Sequence, residues 1–126
     1  MTELAPFELG HPRTELRRQL VAAVLSGEKT ATAGLWSEYE AEGQPLDVPG
    51  ARYALHGYDD EPVAVVEVTE ARIVPAAEID LDFARDEGEG FESVDDWRLA
   101  HEDFFGRTLG PDTQIVAVRF RVVERL

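Results

Sequence analysis

Two long stretches of alternating polarity limit the folds open to this chain. From Val63 to Val74 an apolar run (Val63-Ala-Val-Val) passes into alternation. From Thr113 to Val123, residues Val116, Val118, Phe120 and Val122 face one way, with Arg119 and Arg121 opposite. A period of two marks a strand covered on one face, and the apolar opening of the first stretch marks a central strand. Long strands with few crossover helices argue against a doubly wound parallel sheet. The pattern predicts an α/β (α+β) architecture: a small, mainly antiparallel, curved sheet or barrel with helices packed on it.

The remaining elements fit around these strands. Leu16, Leu20, Ala23 and Val24 recur at helical spacing from Thr14 to Ser26, with Thr14 to cap the start and Gly27 to supply a left-handed stop. Thr30 to Gly34 reads as a short strand, and Trp36 to Gly43 as a helical turn or an ordered loop. Pro45 and Pro49-Gly50 break the chain before a strand at Arg52 to Gly57. Asp59-Asp60-Glu61-Pro62 is a hairpin connection into the long strand, which Pro75 ends. Ala76 to Asp86 is helical at least in part, stopped by Gly88 and Gly90. Ser93, with Asp96 three residues on, resembles a capping box for a helix from Val94 to Phe105. Trp97, Ala100 or His101, Phe104 and Phe105 share one face of that helix, which reads as core.

With 126 residues and no internal repeat or linker, the chain is expected to form one domain over 1–126. It has no cysteine, which excludes disulfide scaffolds, thiol catalysis and thiolate metal sites. No apolar run approaches the roughly 18 residues of a membrane span, and MTELAPFELG lacks the features of a secretory signal, so a cytoplasmic location is expected. Twelve basic and 26 acidic residues give a net charge of −14, which repels polyanions at long range. That leaves room for a local site taking a base, a nucleoside or a short single strand. The acids crowd between Glu78 and Asp103, whereas Arg13, Arg17 and Arg18 cluster near the start; both read as solvated surface.

Lys29 is the single lysine in a chain whose other basic residues are all arginine. A surface lysine near the last carbonyls of a helix would account for it. The chemical alternative is that a desolvated lysine, unlike arginine, loses its proton and acts as a base. Two hydroxyls, Thr30 and Thr32, lie beside it.

The segment Gly27-Glu-Lys-Thr-Ala-Thr-Ala resembles the G-x-K-T-x-T signature of the ASCH domains, relatives of PUA-type RNA-binding barrels. The resemblance continues through Trp36-Ser-Glu-Tyr-Glu-Ala-Glu-Gly, Pro45-Leu46, Val65-Val-Glu-Val-Thr69, Phe83-Ala-Arg-Asp-Glu-Gly-Glu-Gly, Asp96-Trp-Arg-Leu-Ala-His-Glu-Asp-Phe-Phe and Arg119-Phe-Arg-Val-Val. It covers nearly all of the chain from Arg13 onward. It implies a PUA-like barrel with helices around a cleft. Some ASCH proteins are amidohydrolases that deacetylate N4-acetylcytidine with a Lys, a Thr and a Glu, which by position fall on Lys29, Thr32 and Glu87. Other members are proposed to bind RNA, and some to cut single strands.

The residue types suit amide hydrolysis. Thr32 offers a nucleophilic hydroxyl, Lys29 a base, and Glu87 a carboxyl that serves the leaving amine or orients the lysine. On an ideal strand positions 29 and 32 point to opposite faces, so this trio requires Lys29 to lie in the turn before the strand. The amidohydrolase branch carries an arginine soon after the second threonine, where this chain has Gly34-Leu35-Trp36. Substrate contacts are expected from Thr30, Trp36 and Tyr39, the aromatics as stacking faces for a base or as anchors of the loop. His101 reads as a structural histidine. His11 and His56 have no ligand spacing to it or to each other, so neither a metal nor a cofactor is expected. The expected partner is a small nucleoside or, alternatively, short single-stranded RNA.

Overall fold

Strand pairing follows the two alternating stretches. The computed structural model describes residues 4–7, 9 and 14–126, so Arg13 and His11 lie outside the described residues. The elements run β1 (Pro6–Phe7), α1 (Glu15–Ser26), β2 (Ala31–Leu35), α2 (Trp36–Ala41), β3 (Arg52–His56) and β4 (Pro62–Pro75). A 3-10 turn (Ala76–Glu78), α3 (Leu81–Asp86), α4 (Val94–Phe105) and β5 (Gln114–Arg125) follow. The sheet order is β1-β3-β4-β5-β2. β3–β4, β4–β5 and β5–β2 are antiparallel, and the two-residue β1 joins β3 in parallel. The result is an α+β fold whose sheet curls into a half-barrel, as expected.

The long pair β4–β5 forms the spine. Its register shifts at Val65/Val66 and at Val68/Glu70, irregularities of the kind that bend a ladder and increase its twist. Consecutive residues of β5 enter different parts of the core. Ile115 and Ala117 pack under α3 and α4 with Phe83 and Trp97, while Val116 and Val118 pack with Val68, Trp36 and Tyr39. Past the shift, Phe120 joins Leu55, Val66 and the inner face of α1. The upper half of β5 is therefore buried on both faces, and its alternation in sequence is partly hidden.

Several local expectations are refined. Trp36 to Gly43 resolves as helix α2 over its first six residues. Ala76 to Asp86 divides at Ile79-Asp80, because the Asp80 side chain accepts the Phe83 N–H at 2.8 Å and starts α3 afresh. Ser93 caps α4 through the Asp96 N–H at 3.0 Å, but the Asp96 carboxylate accepts the Glu92 N–H rather than closing the box on Ser93. Thr14 occupies the N-cap position of α1 without a side-chain capping bond. Gly27 ends that helix in the left-handed region, at φ 87°. Phe104 is a correction. The sequence put it in the core, yet it is 55% exposed. The buried stripe of α4 runs Trp97, His101, Phe105, a four-residue step that drifts round the helix and carries Phe104 out.

Two substitutions test this packing. Phe83→Ala, at a side chain 1% exposed, is expected to cost about 3–5 kcal/mol in denaturant unfolding. Phe104→Ala is expected to stay within about 0.5 kcal/mol of the wild type.

Candidate functional site

The turn after α1 determines where the lysine sits. Because Gly27 stops the helix, the Lys29 N–H folds back to the Ala23 carbonyl at 3.0 Å, and β2 begins only at Ala31. Lys29 thus lies before regular strand geometry, so the opposite-face objection does not apply. The Thr30 N–H donates to Asp86 O at 2.7 Å, which ties this turn to the end of α3. There Gly88, at φ 72°, allows the two backbones to touch. A Cβ at that position would lie 2.6 Å from Glu28 O and 2.7 Å from the Lys29 nitrogen.

This contact buries the lysine side chain to 1% exposure. Its Nζ donates to the carbonyls of Ala31 (2.8 Å) and Glu87 (3.2 Å), and stands 3.7 Å from Glu87 Oε1 and 3.8 Å from Glu89 Oε2. Burial pushes the amine below its ordinary 10.5, against the opposing pull of the two carboxylates.

Glu87, equally buried, has both oxygens engaged. Oε2 accepts the indole N–H of Trp97, and Oε1 faces His101 Nε2 at 3.3 Å as well as Lys29. His101 stacks on Trp97, with centroids 4.3 Å apart, and its Nδ1 contacts the Trp97 carbonyl at 2.8 Å. Both ring nitrogens meet acceptors, so only the doubly protonated ring satisfies both. Burial alone would lower the His101 pKa, but the hydrogen bond and charge of Glu87 outweigh it and hold it above 6.5. Burial raises the Glu89 carboxyl above 4.5, while Lys29 opposes that shift.

These groups line a cleft of about 330 Å³ beside edge strand β2. Leu16 and Leu20 of α1 form one wall, and His101, Asp103 and Phe104 of α4 the other. Thr32 lies on the β2 side, with Lys29, Glu87 and Glu89 also in the lining. The catalytic trio drawn from the sequence therefore borders one cavity.

The expected substrate contacts do not join it. Trp36 packs over Val68, Val116 and Val118, because α2 begins as soon as β2 ends and lies over that part of the core. Thr30 is committed through its backbone, its carbonyl accepting from the Phe120 N–H, and does not line the cleft. Tyr39 lines a smaller cavity of about 130 Å³, which also reaches Thr32. There Asp47 accepts hydroxyl protons from Tyr39 (3.3 Å) and Tyr53 (2.7 Å); burial, then the Asp47 interactions, push the Tyr39 hydroxyl up strongly, and Tyr53 up to about 12. Tyr39 also packs against Gly34. A Cβ there would meet Tyr39 Cε1 at 3.2 Å, so a side chain at this position requires the ring to give way by a few tenths of an ångström.

Sequence reasoning missed three members of the cluster. His101 and Trp97 share a helix face that reads as core, and nothing local indicates that a carboxylate 10 residues away ends against it. Glu89 is one acid in a run of acids. Among the described residues, Glu87, Glu89 and His101 bring three potential ligand atoms within 4.8 Å of one another, and both Lys29 and the protonated His101 face the carboxylates.

Gly88→Ala is expected to cost about 1–3 kcal/mol from the left-handed backbone alone, read by urea unfolding, with a further loss from the clash at Lys29. The histidine gives a signed pH dependence. Its raised pKa means the folded chain holds this proton more tightly than the unfolded one, so the contribution is complete below pH 6.5 and is lost as pH rises through the raised value. The stability gap between wild type and His101→Asn, measured by denaturation on both sides of pH 6.5, is expected to be widest on the acid side.

Comparison with known proteins identifies the fold and the family. No curated protein sequence matches the chain significantly. Protein EF3133 from Enterococcus faecalis V583 superimposes with a TM-score of 0.87 at 26% identity, over 99% of this chain and 79% of that one. An ASCH domain from Lactobacillus crispatus JV V101 superimposes with a TM-score of 0.83 at 25% identity, over 98% of this chain and 82% of its own. The ASCH domain profile matches residues 8–124. A family profile that spans almost the whole chain, on a fold shared with a solved ASCH domain, leads to one conclusion: the chain belongs to the ASCH domain family.

Proposed function

We propose that this protein is a metal-independent amidohydrolase acting on a small acylated pyrimidine nucleoside, with N4-acetylcytidine as the model substrate. The ASCH family is linked to RNA binding and to nucleic-acid-related substrates, which sets the chemical class. The observation that carries the finer reading is the burial of the single lysine in a cleft that it shares with Thr32. In this reading Lys29, whose amine burial makes easier to deprotonate, takes the Thr32 proton. The Thr32 oxygen then attacks the acyl carbon, and water later releases the acyl group. Glu87 keeps the lysine in place.

Two features favour a small substrate over a polyanion. The cavity is at the lower end of the roughly 300–1,000 Å³ range of small-molecule sites. Its charged lining, Glu87, Glu89 and Asp103 against Lys29 and His101, offers no basic track. Among the described residues, the arginines considered for one are paired elsewhere: Arg17 with Asp60 at 2.5 Å, Arg18 with Glu15, Arg119 with Asp86 at 2.6 Å, and Arg52 and Arg121 with Glu67.

The test incubates purified protein with N4-acetylcytidine and, separately, with labelled single-stranded RNA. Deacetylation is expected, reduced by about 100-fold or more in Thr32→Ala and in Lys29→Arg, which keeps the charge but not the titratable amine. Circular dichroism confirms that each variant is folded. Salt-sensitive RNA binding or cleavage without deacetylation, unaffected by Thr32→Ala, would decide for an RNA-binding role instead.

A further inference from the structure

Two carboxylates face the Lys29 ammonium at nearly equal distance, yet they differ in every other respect. Glu87 is 2% exposed in its side chain, one oxygen accepting the Trp97 indole N–H and the other facing His101. Both oxygens of this carboxylate are thus already engaged by buried neighbours. Glu89 is 28% exposed in its side chain, lines the same cleft, and among the described residues forms its ion pair with Lys29 alone. Glycines on both sides of it, Gly88 and Gly90 at φ 72° and 81°, bend the chain so that this carboxyl returns toward the lysine.

We propose that Glu89, not Glu87, carries the proton to the departing amine, while Glu87 is a positioning residue for Lys29 and His101. The assignment rests on the amidohydrolase reading above. The proton balance is simple. Neutral Lys29 takes the Thr32 hydroxyl proton as the Thr32 oxygen forms its bond to the acyl carbon. As the carbon–nitrogen bond breaks, Glu89 gives its carboxyl proton to the leaving nitrogen and is reprotonated by the Lys29 ammonium beside it. Water then attacks the threonyl ester and passes one proton to Lys29. The ester carbon–oxygen bond breaks, and the Thr32 oxygen takes that proton back. The sum is amide plus water giving amine plus carboxylic acid.

Burial makes the starting state of this cycle accessible, against the mutual attraction that holds the resting pair charged. The groups facing Glu89 are Lys29 from the turn after α1, Glu87 from its own loop, and His101 from α4, with Asp103 also on the cleft wall. Burial raises the Glu89 carboxyl and lowers the Lys29 amine, so both shifts move the pair toward its uncharged form. That form holds an amine ready to accept a proton and a carboxyl ready to give one.

The experiment compares N4-acetylcytidine, whose leaving nitrogen needs a proton, with p-nitrophenyl acetate, whose leaving phenolate does not. Glu89→Gln is expected to lower kcat on the amide by about 100-fold with little change in KM, to remove the alkaline fall of the kcat profile, and to lose at least ten-fold less on the ester. Glu87→Gln is expected to lower both activities together. Amide hydrolysis by Glu89→Gln at the wild-type rate and pH profile would overturn the assignment. Equal loss on both substrates would overturn it too, by making Glu89 a structural group. A wild-type protein that hydrolyses neither substrate would instead defeat the amidohydrolase reading, and this assignment with it.

Discussion

A lysine ammonium held out of water between two carboxylates is the interaction on which the rest of the site depends. Burying a charge is expensive unless a partner and hydrogen bonds replace its hydration. Here two backbone carbonyls and the carboxylates of Glu87 and Glu89 do so. The requirement spreads outward. Glu87 needs a donor for its other oxygen and takes the Trp97 indole, while His101 faces the first and leans on the Trp97 carbonyl. One buried charge thereby fixes the end of α3, the inner face of α4 and the turn after α1 relative to one another.

Such an arrangement needs backbones to meet closely, which explains the glycine between the two glutamates. Any side chain at Gly88 would collide with the peptide that leads into Lys29. The Thr30–Asp86 backbone bond and the Arg119–Asp86 ion pair, at 2.7 and 2.6 Å, fasten the same junction from either side. The consequence is an amine held by scaffold contacts from two sides, and in the proposed reaction this pre-organises Lys29 as the base.

The curl of the sheet decides what borders this cluster. Among the described residues β2 is an edge strand paired with β5 alone, and it borders the cleft between α1 and α4. Thr32 reaches both this cleft and the smaller cavity with Tyr39, Asp47 and Tyr53. Thr32 thus lies between two spaces of different character, one holding the Lys29–Glu87–Glu89–His101 cluster and one the Tyr39–Asp47–Tyr53 group. On the tyrosine side, the Tyr39 ring lies against Gly34, where a Cβ would meet Cε1 at 3.2 Å.

The sequence by itself determined the antiparallel spine, the two long helices and their stops, because alternation, helical spacing, glycine and proline act over a few neighbouring residues. Lys29 stood out for a reason equally local: it is the one lysine, placed after a helix stop. The pattern around it also carried the family resemblance. Only the tertiary structure decided which acids meet that lysine and that His101 and Trp97 complete the cluster. It also decided that Trp36 and Phe104 exchange their expected places, Trp36 turning to the core and Phe104 to the cleft. These facts depend on how α3 and α4 dock against the turn after α1, more than 50 residues apart in sequence. No local rule reports such distances; Glu87 and Glu89 are indistinguishable from their acidic neighbours until the chain folds back and takes the water away.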